Sequence, residues 1–430
     1  MKLRHYSIKL TIFLLVLFIC AYPAAAQKSG SAAPRQEKLL NGLKILMWNE
    51  PKSEKVFLGV RIHSGSAFDP QQKEGLMQLL ADNIFPTESA REFFTEELDG
   101  SLEVICNYDY IQINASGRSD RMLDILQTVS GALTNPPIDK ETTARLRTAL
   151  AGKIKELEKD PAYQADQAAA KRLLGSFPYG RPQMGTAESA AKLEYADLLG
   201  AQERFLTADN ATVTLSGTYN SDQAYKAIRR YFGSWLKADK KIPPTFRQPD
   251  EPDTKSLNIG AAAPGNTEVR YALRGLARND KDFPASQIVA KIAQARWQAL
   301  RSTPPKTSNV FARYDAHILP GTLMFGETLP LQSAGDGAGT KTRDSLIPQN
   351  ITADEFARAR GEVLTTAVFS RSLQDRWLDV DTFKSLPVDN ETAAYQDLVL
   401  ADVQRVAERL AKNPIVTVLL VTPTETVTAN

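Results

Sequence analysis

Histidine and cysteine are scarce in this 430-residue chain, which contains three of the first and two of the second. So few cysteines exclude a disulfide-stapled scaffold, and stability has to come from packed cores. Charge of one sign is not in excess, since 52 Lys and Arg face 50 Asp and Glu. That balance gives no electrostatic reason to expect nucleic acid or an anionic membrane as a partner. A long apolar run is missing as well. The longest, Leu10 to Tyr22, falls short of the ~20 residues a membrane-spanning helix needs. With 43% hydrophobic and 24% charged residues, the chain suits a folded protein of two or more domains.

The first 26 residues read as a leader. Lys2, Arg4 and Lys9 precede the short apolar run, and Ala24-Ala25-Ala26 offers the small residues a signal peptidase requires. A cleaved secretory signal places the chain in the periplasm or cell envelope. Cys20 follows Phe18 and Ile19, which are bulky where a lipid-attachment signal wants small residues. Cleavage removes three of the 52 basic residues and no acidic one, leaving 49 against 50. The only histidines left are His63 and His317, and the only cysteine is Cys106, in the alternating run Leu102 to Cys106. That pattern predicts a buried structural thiol.

The remainder reads as two α+β halves. In the first, 39–48 and 55–63 are strand-like with a turn at Asn41-Gly42, and a helix spans about 73–84 with Leu76, Leu79 and Leu80 on one side. Residues 101–116 alternate as strands. Helices follow at about 119–134, 138–158 and 162–175, then another helix, a strand at 211–217 and a helix at 221–235. A stretch rich in Lys, Pro and Asp, 239–255, reads as a linker between domains at 37–238 and 256–425. The second half repeats the order in shortened form: strand 269–273, helix 283–300, strands 310–318 and 323–329, helices 353–370 and 391–411, strand 415–421. This predicts a structural duplication.

Several stretches resemble the pitrilysin/insulinase family of inverted zincins: Asn41-Gly42-Leu43, Gly65-Ser66-Ala67, Pro178-Tyr179-Gly180-Arg181-Pro182 with Gly185-Thr186 and Glu188, and Leu276 to Ala285. The resemblance covers about 37–425. It implies two similar LuxS/metallohydrolase-like α+β domains, each a mixed or antiparallel sheet with helices packed on one face, together forming half of a clamshell. In that family a helix carries His-x-x-Glu-His, whose histidines ligate zinc while the glutamate serves as base. At the matching positions this chain has Gln78, Ala81 and Asp82, and the distal glutamate falls near Gly152 or Lys153. Two histidines in different halves cannot form a two-histidine zinc face either. Neither zinc nor another cofactor is therefore expected, and no catalysis by the chain alone. Resemblance also implies a substrate-binding arginine, for which Arg301 is the candidate, although the accompanying tyrosine is missing.

Two readings follow. One is a non-catalytic subunit that pairs with an active zinc-bearing homologue, or with a second copy of itself, around extended peptides. The alternative is a free-standing envelope protein that binds peptides or acts as a scaffold. No Gly-x-Ser-x-Gly and no phosphate-binding glycine loop points to a different enzyme.

Overall fold

Alternation of apolar and polar residues builds two sheets, in a computed structural model that describes residues 33–238, 243, 245–260, 266–300, 309–329 and 346–421. The leader, Arg301 and part of the linker lie outside the described residues. The first sheet contains β1 (Arg35–Lys38), β2 (Lys44–Asn49), β3 (Lys55–Ile62), β4 (Ser101–Cys106), β5 (Ile111–Arg118) and β6 (Ala211–Gly217), in the order β1-β2-β6-β3-β5-β4. The second contains β7 (Leu257–Gly260), β8 (Thr267–Arg274), β9 (Asn309–Asp315), β10 (Thr322–Leu329) and β11 (Val416–Val421), in the order β7-β11-β8-β10-β9.

These orders are the same once β1 is set aside. In each sheet a first strand pairs parallel with the last, β2 with β6 and β7 with β11. The last then pairs antiparallel with the central strand, β6 with β3 and β11 with β8. The central strand continues antiparallel into the remaining two. The shortened copy expected from the order of elements is thus a copy of sheet topology, without an equivalent of β1 among the described residues.

The β1–β2 hairpin turns at Asn41-Gly42. Gly42 has φ of 92°, and a Cβ there would meet Asp209 at 2.6 Å, so only glycine serves. The Asn41 amide donates to the carbonyls of Phe232 and Trp235, tying the hairpin to the last helix of the half.

The first half supplies α1 (Leu76–Ile84), α2 (Ser89–Glu92), α3 (Met122–Thr134), α4 (Lys140–Leu157), α5 (Pro161–Leu174), α6 (Ala187–Ala191), α7 (Tyr195–Phe205) and α8 (Ser221–Phe232). Their starts are set by side chains: Asp139 caps α4, Asp160 followed by Pro161 starts α5, and Asn220 caps α8. The second half has α9 (Phe283–Leu300), α10 (Ala353–Val363), α11 (Leu373–Phe383), α12 (Val388–Gln396) and α13 (Leu400–Ala411). The single helix expected over 391–411 is two, α12 and α13. Arg360 donates to the carbonyls of Gln396 and Leu398 at the break, replacing intrahelical partners.

Each sheet buries one face against its own helices. Val56, Leu58, Val60 and Ile62 of β3 join α1, α3 and α8 in one core, and Val269, Tyr271 and Leu273 of β8 join α9, α10 and α13 in another. The opposite faces are covered crosswise. α5 leaves the first half to pack on β8 and β11, whereas α11 leaves the second half to pack on β6. Because of this exchange the described residues from Pro34 onward form one compact unit.

Candidate functional site

The site begins with α1, whose N-terminus is held by a carboxylate. Asp69 accepts from the backbone N–H groups of Gly75 (2.7 Å) and Met77 (2.8 Å) while 5% exposed. Burial raises its pKa to about 7 against the opposing effect of those two donors. Gly75 has φ of 98°, and a Cβ there would strike the Met184 carbonyl at 2.5 Å. Gly185, with φ of 78°, packs in the same way on the Glu74 carbonyl. The segment that follows Pro178-Tyr179-Gly180-Arg181 is therefore interlocked with the start of α1. Arg181 donates to the carbonyls of Asp69 (3.0 Å) and Ala67 (3.3 Å), and Ser189 donates to that of Glu74. Gly65 lies so close to Asn107 that a Cβ would sit 2.0 Å from its carbonyl oxygen. These short motifs are clamps that fix the helix.

On α1, Gln78 and Asp82 lie one turn apart on the half-buried face. The Gln78 amide donates to the Asp82 carboxylate at 2.9 Å. Ala81 is buried, 1% exposed, and has no group that could move a proton. Burial pushes the Asp82 pKa up, opposed by the Gln78 hydrogen bond and by the charges of Lys153 and Arg91. Lys153 is exposed on α4, which packs against α1. The structure thus brings Gln78, Asp82 and the charge of Lys153 to one place. Among the described residues, no group of three or more His, Cys, Asp or Glu is arranged to hold a metal.

The sheet edge beside α1 is β4, the last strand in its order, and α1 packs against it. Among the described residues its outer edge has no neighbouring strand. The Cys106 carbonyl at its end accepts from the Gln183 side chain. Cys106 itself is buried, and burial raises its thiol pKa well above the ordinary value, so it is inert.

Neither histidine is on α1. His63 is flanked by the Thr382 and Thr212 hydroxyls, each 3.0 Å from a ring nitrogen. Burial lowers its pKa to about 3, so the ring is neutral. His317 contacts Asp109 at 2.7 Å and stacks on Tyr179 with centroids 4.1 Å apart.

Comparison with known proteins adds a likeness in sequence and fold. The profile described as Peptidase M16 inactive domain matches residues 192–325. A Bacillus subtilis protein named as an uncharacterized zinc protease, YmxG, is 23% identical over 200 residues. That stretch is 45% of this chain and 49% of the relative, so the match spans about half the relative's length. The crystal structure of a peptidase M16 inactive domain from Pseudomonas fluorescens superposes with a TM-score of 0.80 at 17% identity, covering 91% of this chain and 98% of that one. The chain is similar to M16 peptidases in part of its sequence and in its fold. The periplasmic protease PqqL from Escherichia coli superposes with a TM-score of 0.70 at 17% identity, and the alignment covers 91% of this chain but 48% of that protein.

Zinc is the metal that likeness implies, and the residues of this chain do not fit it. Zinc takes imidazole, thiolate or carboxylate donors in a tetrahedron. Here stand one amide and one carboxylate joined by a hydrogen bond, a methyl group, and a nearby ammonium of like charge to the metal. The second-half motif, Leu276 to Ala285, is structural. Asp282 holds Arg405 and Arg409, Asp280 holds Arg409, and Arg278 faces Asp379 and Glu391.

Sequence reasoning missed the residues buried where the halves cross. Arg61 of β3 is 1% exposed and donates to Asp379 of α11 at 2.6 Å and Gln112 at 2.7 Å, with its guanidinium 3.9 Å above the Tyr110 ring. Arg270 of β8 is 2% exposed and donates to Asp166 of α5 at 2.5 Å and Glu268 at 2.8 Å. An arginine in the middle of an alternating strand, flanked by apolar residues, was the available signal.

Proposed function

We propose that this M16 homologue is a non-catalytic half-shell that joins an active, zinc-bearing relative, or a second copy of itself, to enclose extended peptides. The observation that carries this reading is the closed Gln78–Asp82 hydrogen bond on α1, beside a buried Ala81. A zincin needs three metal ligands and a base at this place. This chain has instead an amide hydrogen-bonded to a carboxylate, with no imidazole and no base.

Supporting the half-shell reading, the chain aligns with 48% of PqqL, and its two sheets repeat one topology. The domains would run 37–238 and 256–425 with a linker between. The open edge of β4, beside the degenerate helix, is the natural place for a peptide to add as a further strand. A periplasmic neighbour and the leader at 1–26 agree with an envelope location. No described helix is long and apolar enough to cross a membrane. Arg301 is kept as a candidate substrate contact.

The test has three arms. Purified protein should hold less than about a tenth of an equivalent of zinc by elemental analysis and cleave no peptide alone. The triple variant Gln78→His, Ala81→Glu and Asp82→His should still lack tight zinc, because Gly152 or Lys153 at the distal position leaves that ligand missing. Native co-purification should yield a complex with an intact zinc homologue or a homodimer. Stoichiometric zinc resisting mild chelation would overturn the non-catalytic assignment. A relative that is fully active alone and never co-elutes would leave the free-standing peptide binder as the better description.

A further inference from the structure

The β1–β2 hairpin and the end of α8 together form a tip that the peptide-binding reading does not use. β1 runs alongside α8. Arg35 at its start pairs with Asp222 and lies over the Tyr225 ring, and Asn41 just past its end donates to the carbonyls of Phe232 and Trp235. At that end Leu40 and Leu236 are 106% and 79% exposed, the two highest values among the large hydrophobic side chains described. We propose that this tip docks the protein onto an anionic lipid bilayer, with the two leucines entering the interface and the surrounding lysines and arginines meeting lipid phosphates. The inference goes beyond the half-shell reading and does not depend on it.

Three observations carry it. The first is that the leucines are held out rather than left loose. The same Asn41 amide that bonds the end of α8 fixes the turn bearing Leu40. Leu236 follows Trp235, which is buried and donates its indole N–H to the Leu206 carbonyl at 2.9 Å. The Leu236 carbonyl accepts from the Ala208 N–H at 2.8 Å. Its backbone is thus anchored while its side chain faces water. A single exposed leucine is ordinary on a folded protein, whereas two fixed at one tip mark a contact.

The second observation is charge. Lys38 on β1, Lys226, Arg229 and Arg230 on α8, and Lys237 just after it are all exposed. Among the described residues none of the five is in an ion pair. Cations in the last turn of a helix complement its dipole, which accounts for Arg229 and Arg230 but not for Lys38 or Lys237. Carboxylates of the adjoining elements are engaged elsewhere, Glu37 and Asp222 by Arg35 and Asp124 by Arg121. Asp209, beneath the hairpin, is half-buried and accepts from the Ala238 N–H at 2.9 Å. The sequence then adds Asp239, Lys240 and Lys241. A near balance of charge over the whole chain therefore conceals a local positive excess.

The third observation is shape. Leu40 is as open as in an extended chain, so the tip is a projection and not a groove. A second copy docked through a two-fold axis would set this basic cluster against itself, which like charges oppose. An anionic bilayer offers phosphates to the cations and apolar depth to the leucines, and it asks for no matching shape.

The test is flotation of the chain from Gln27 onward with vesicles of phosphatidylcholine, alone or with a third of phosphatidylglycerol. Partition should favour the anionic vesicles by at least about tenfold and fall as salt rises. Leu40→Ser with Leu236→Ser should weaken it at least about fivefold. Lys38→Gln, Arg229→Gln and Arg230→Gln together should bring the two vesicle types within about twofold. All five side chains are exposed, so the circular dichroism spectrum and urea midpoint should match the native protein, and Phe369→Ser, at another exposed apolar position, should leave binding unchanged. The contact is located with a solvatochromic dye on Leu40→Cys, since Cys106 is buried and stays unlabelled. Its emission should move to the blue on anionic vesicles, while the same dye on Phe369→Cys should not respond. No partition, partition indifferent to lipid charge, partition that survives both sets of substitutions, or a blue shift at Phe369 without one at Leu40 overturns the proposal. A protein that co-purifies with the native chain and is lost in the double serine variant, while vesicles are ignored, also overturns it and assigns the tip to a protein contact.

Discussion

The two crossing helices, α5 over the second sheet and α11 over the first, occupy equivalent places in the duplicated topology and are attached by opposite means. Under α5 the contact is apolar. Ala169, Leu173 and Leu174 meet Ala272, Met324, Val416 and Val418, all nearly inaccessible. A single buried arginine, Arg270, punctuates it. Under α11 the sheet face is polar: Gln112, Thr212, Thr214 and Ser216 lie beneath it with Arg61. Gln374 and Asp375 of α11 bond to Ser216 and Gln112. One architecture thus tolerates either a hydrophobic or a hydrogen-bonded seam, provided every buried polar group finds a partner.

The comparison is tested hardest at the two arginines. Arg270→Ala would leave Glu268, 5% exposed, with the Thr328 hydroxyl as its one side-chain partner among the described residues, while Asp166 keeps Arg313. Uncompensated burial of that carboxylate should cost about 3–5 kcal/mol, read from the urea midpoint. Arg61→Ala should cost less, because Asp379 keeps Arg371 and Arg278. A larger loss at Arg61 would mean that the polar seam depends on one residue and not on its network.

Next in size are the seams themselves. Leu173→Ala removes a side chain that is 1% exposed from the apolar contact and should cost about 2–4 kcal/mol. Thr214→Val, at a position fully buried in the polar face with only a long 3.4 Å bond to the Gly59 carbonyl, should change stability by less than about 1 kcal/mol. If Thr214→Val proved as harmful as Leu173→Ala, the contrast between the seams would collapse.

These seams also explain what could be read from the sequence. α5 was legible because Ala165, Ala169 and Leu173 recur every four residues, so one apolar stripe marks the helix and its buried side. α11 was not legible. Toward the sheet it turns Asp375, Asp379 and Thr382 beside Leu378, a pattern that reads as surface until an arginine on a distant strand supplies the partner. β7, four residues long, was lost for want of length. The helix carrying Gln78, Ala81 and Asp82 could be found because a motif has fixed spacing. The basic tip could not, since residues near 40, 229 and 236 meet only through the Asn41 hydrogen bonds.

Acid should separate the seams further. His63 lies in the polar seam, neutral and held near pKa 3, whereas an unfolded histidine titrates near 6.5. A depressed pKa means that the unfolded chain binds the proton first. Stability from this residue is therefore complete above about pH 6.5 and declines as the pH falls toward 3, by up to about 1.4 kcal/mol per unit. Asp69, raised to about 7, works in the other sense. Its contribution is complete below the ordinary carboxylate range and is lost as the pH rises through about 7. His63→Gln should accordingly flatten the acid side of the stability profile, and hydrogen exchange at pH 4.5 should open α11 before α5 in the native protein. Equal opening of both helices would count against the assignment of the acid response to the polar seam.

The smallest expected effect is at the margin of the same seam. Lys44 of β2 reaches Asp381 of α11 at 2.7 Å, but both side chains keep access to water, at 33% and 18%. Exposed pairs gain little, because water and salt screen the attraction and ordering a long side chain costs entropy. Asp381 also accepts from the Thr212 hydroxyl, so it is not left bare when the lysine goes. Lys44→Met should therefore shift stability by no more than about 1 kcal/mol, and the shift should fade between low and high salt. A large, salt-insensitive loss would place the attachment of α11 in its rim rather than in the buried hydrogen bonds around Arg61.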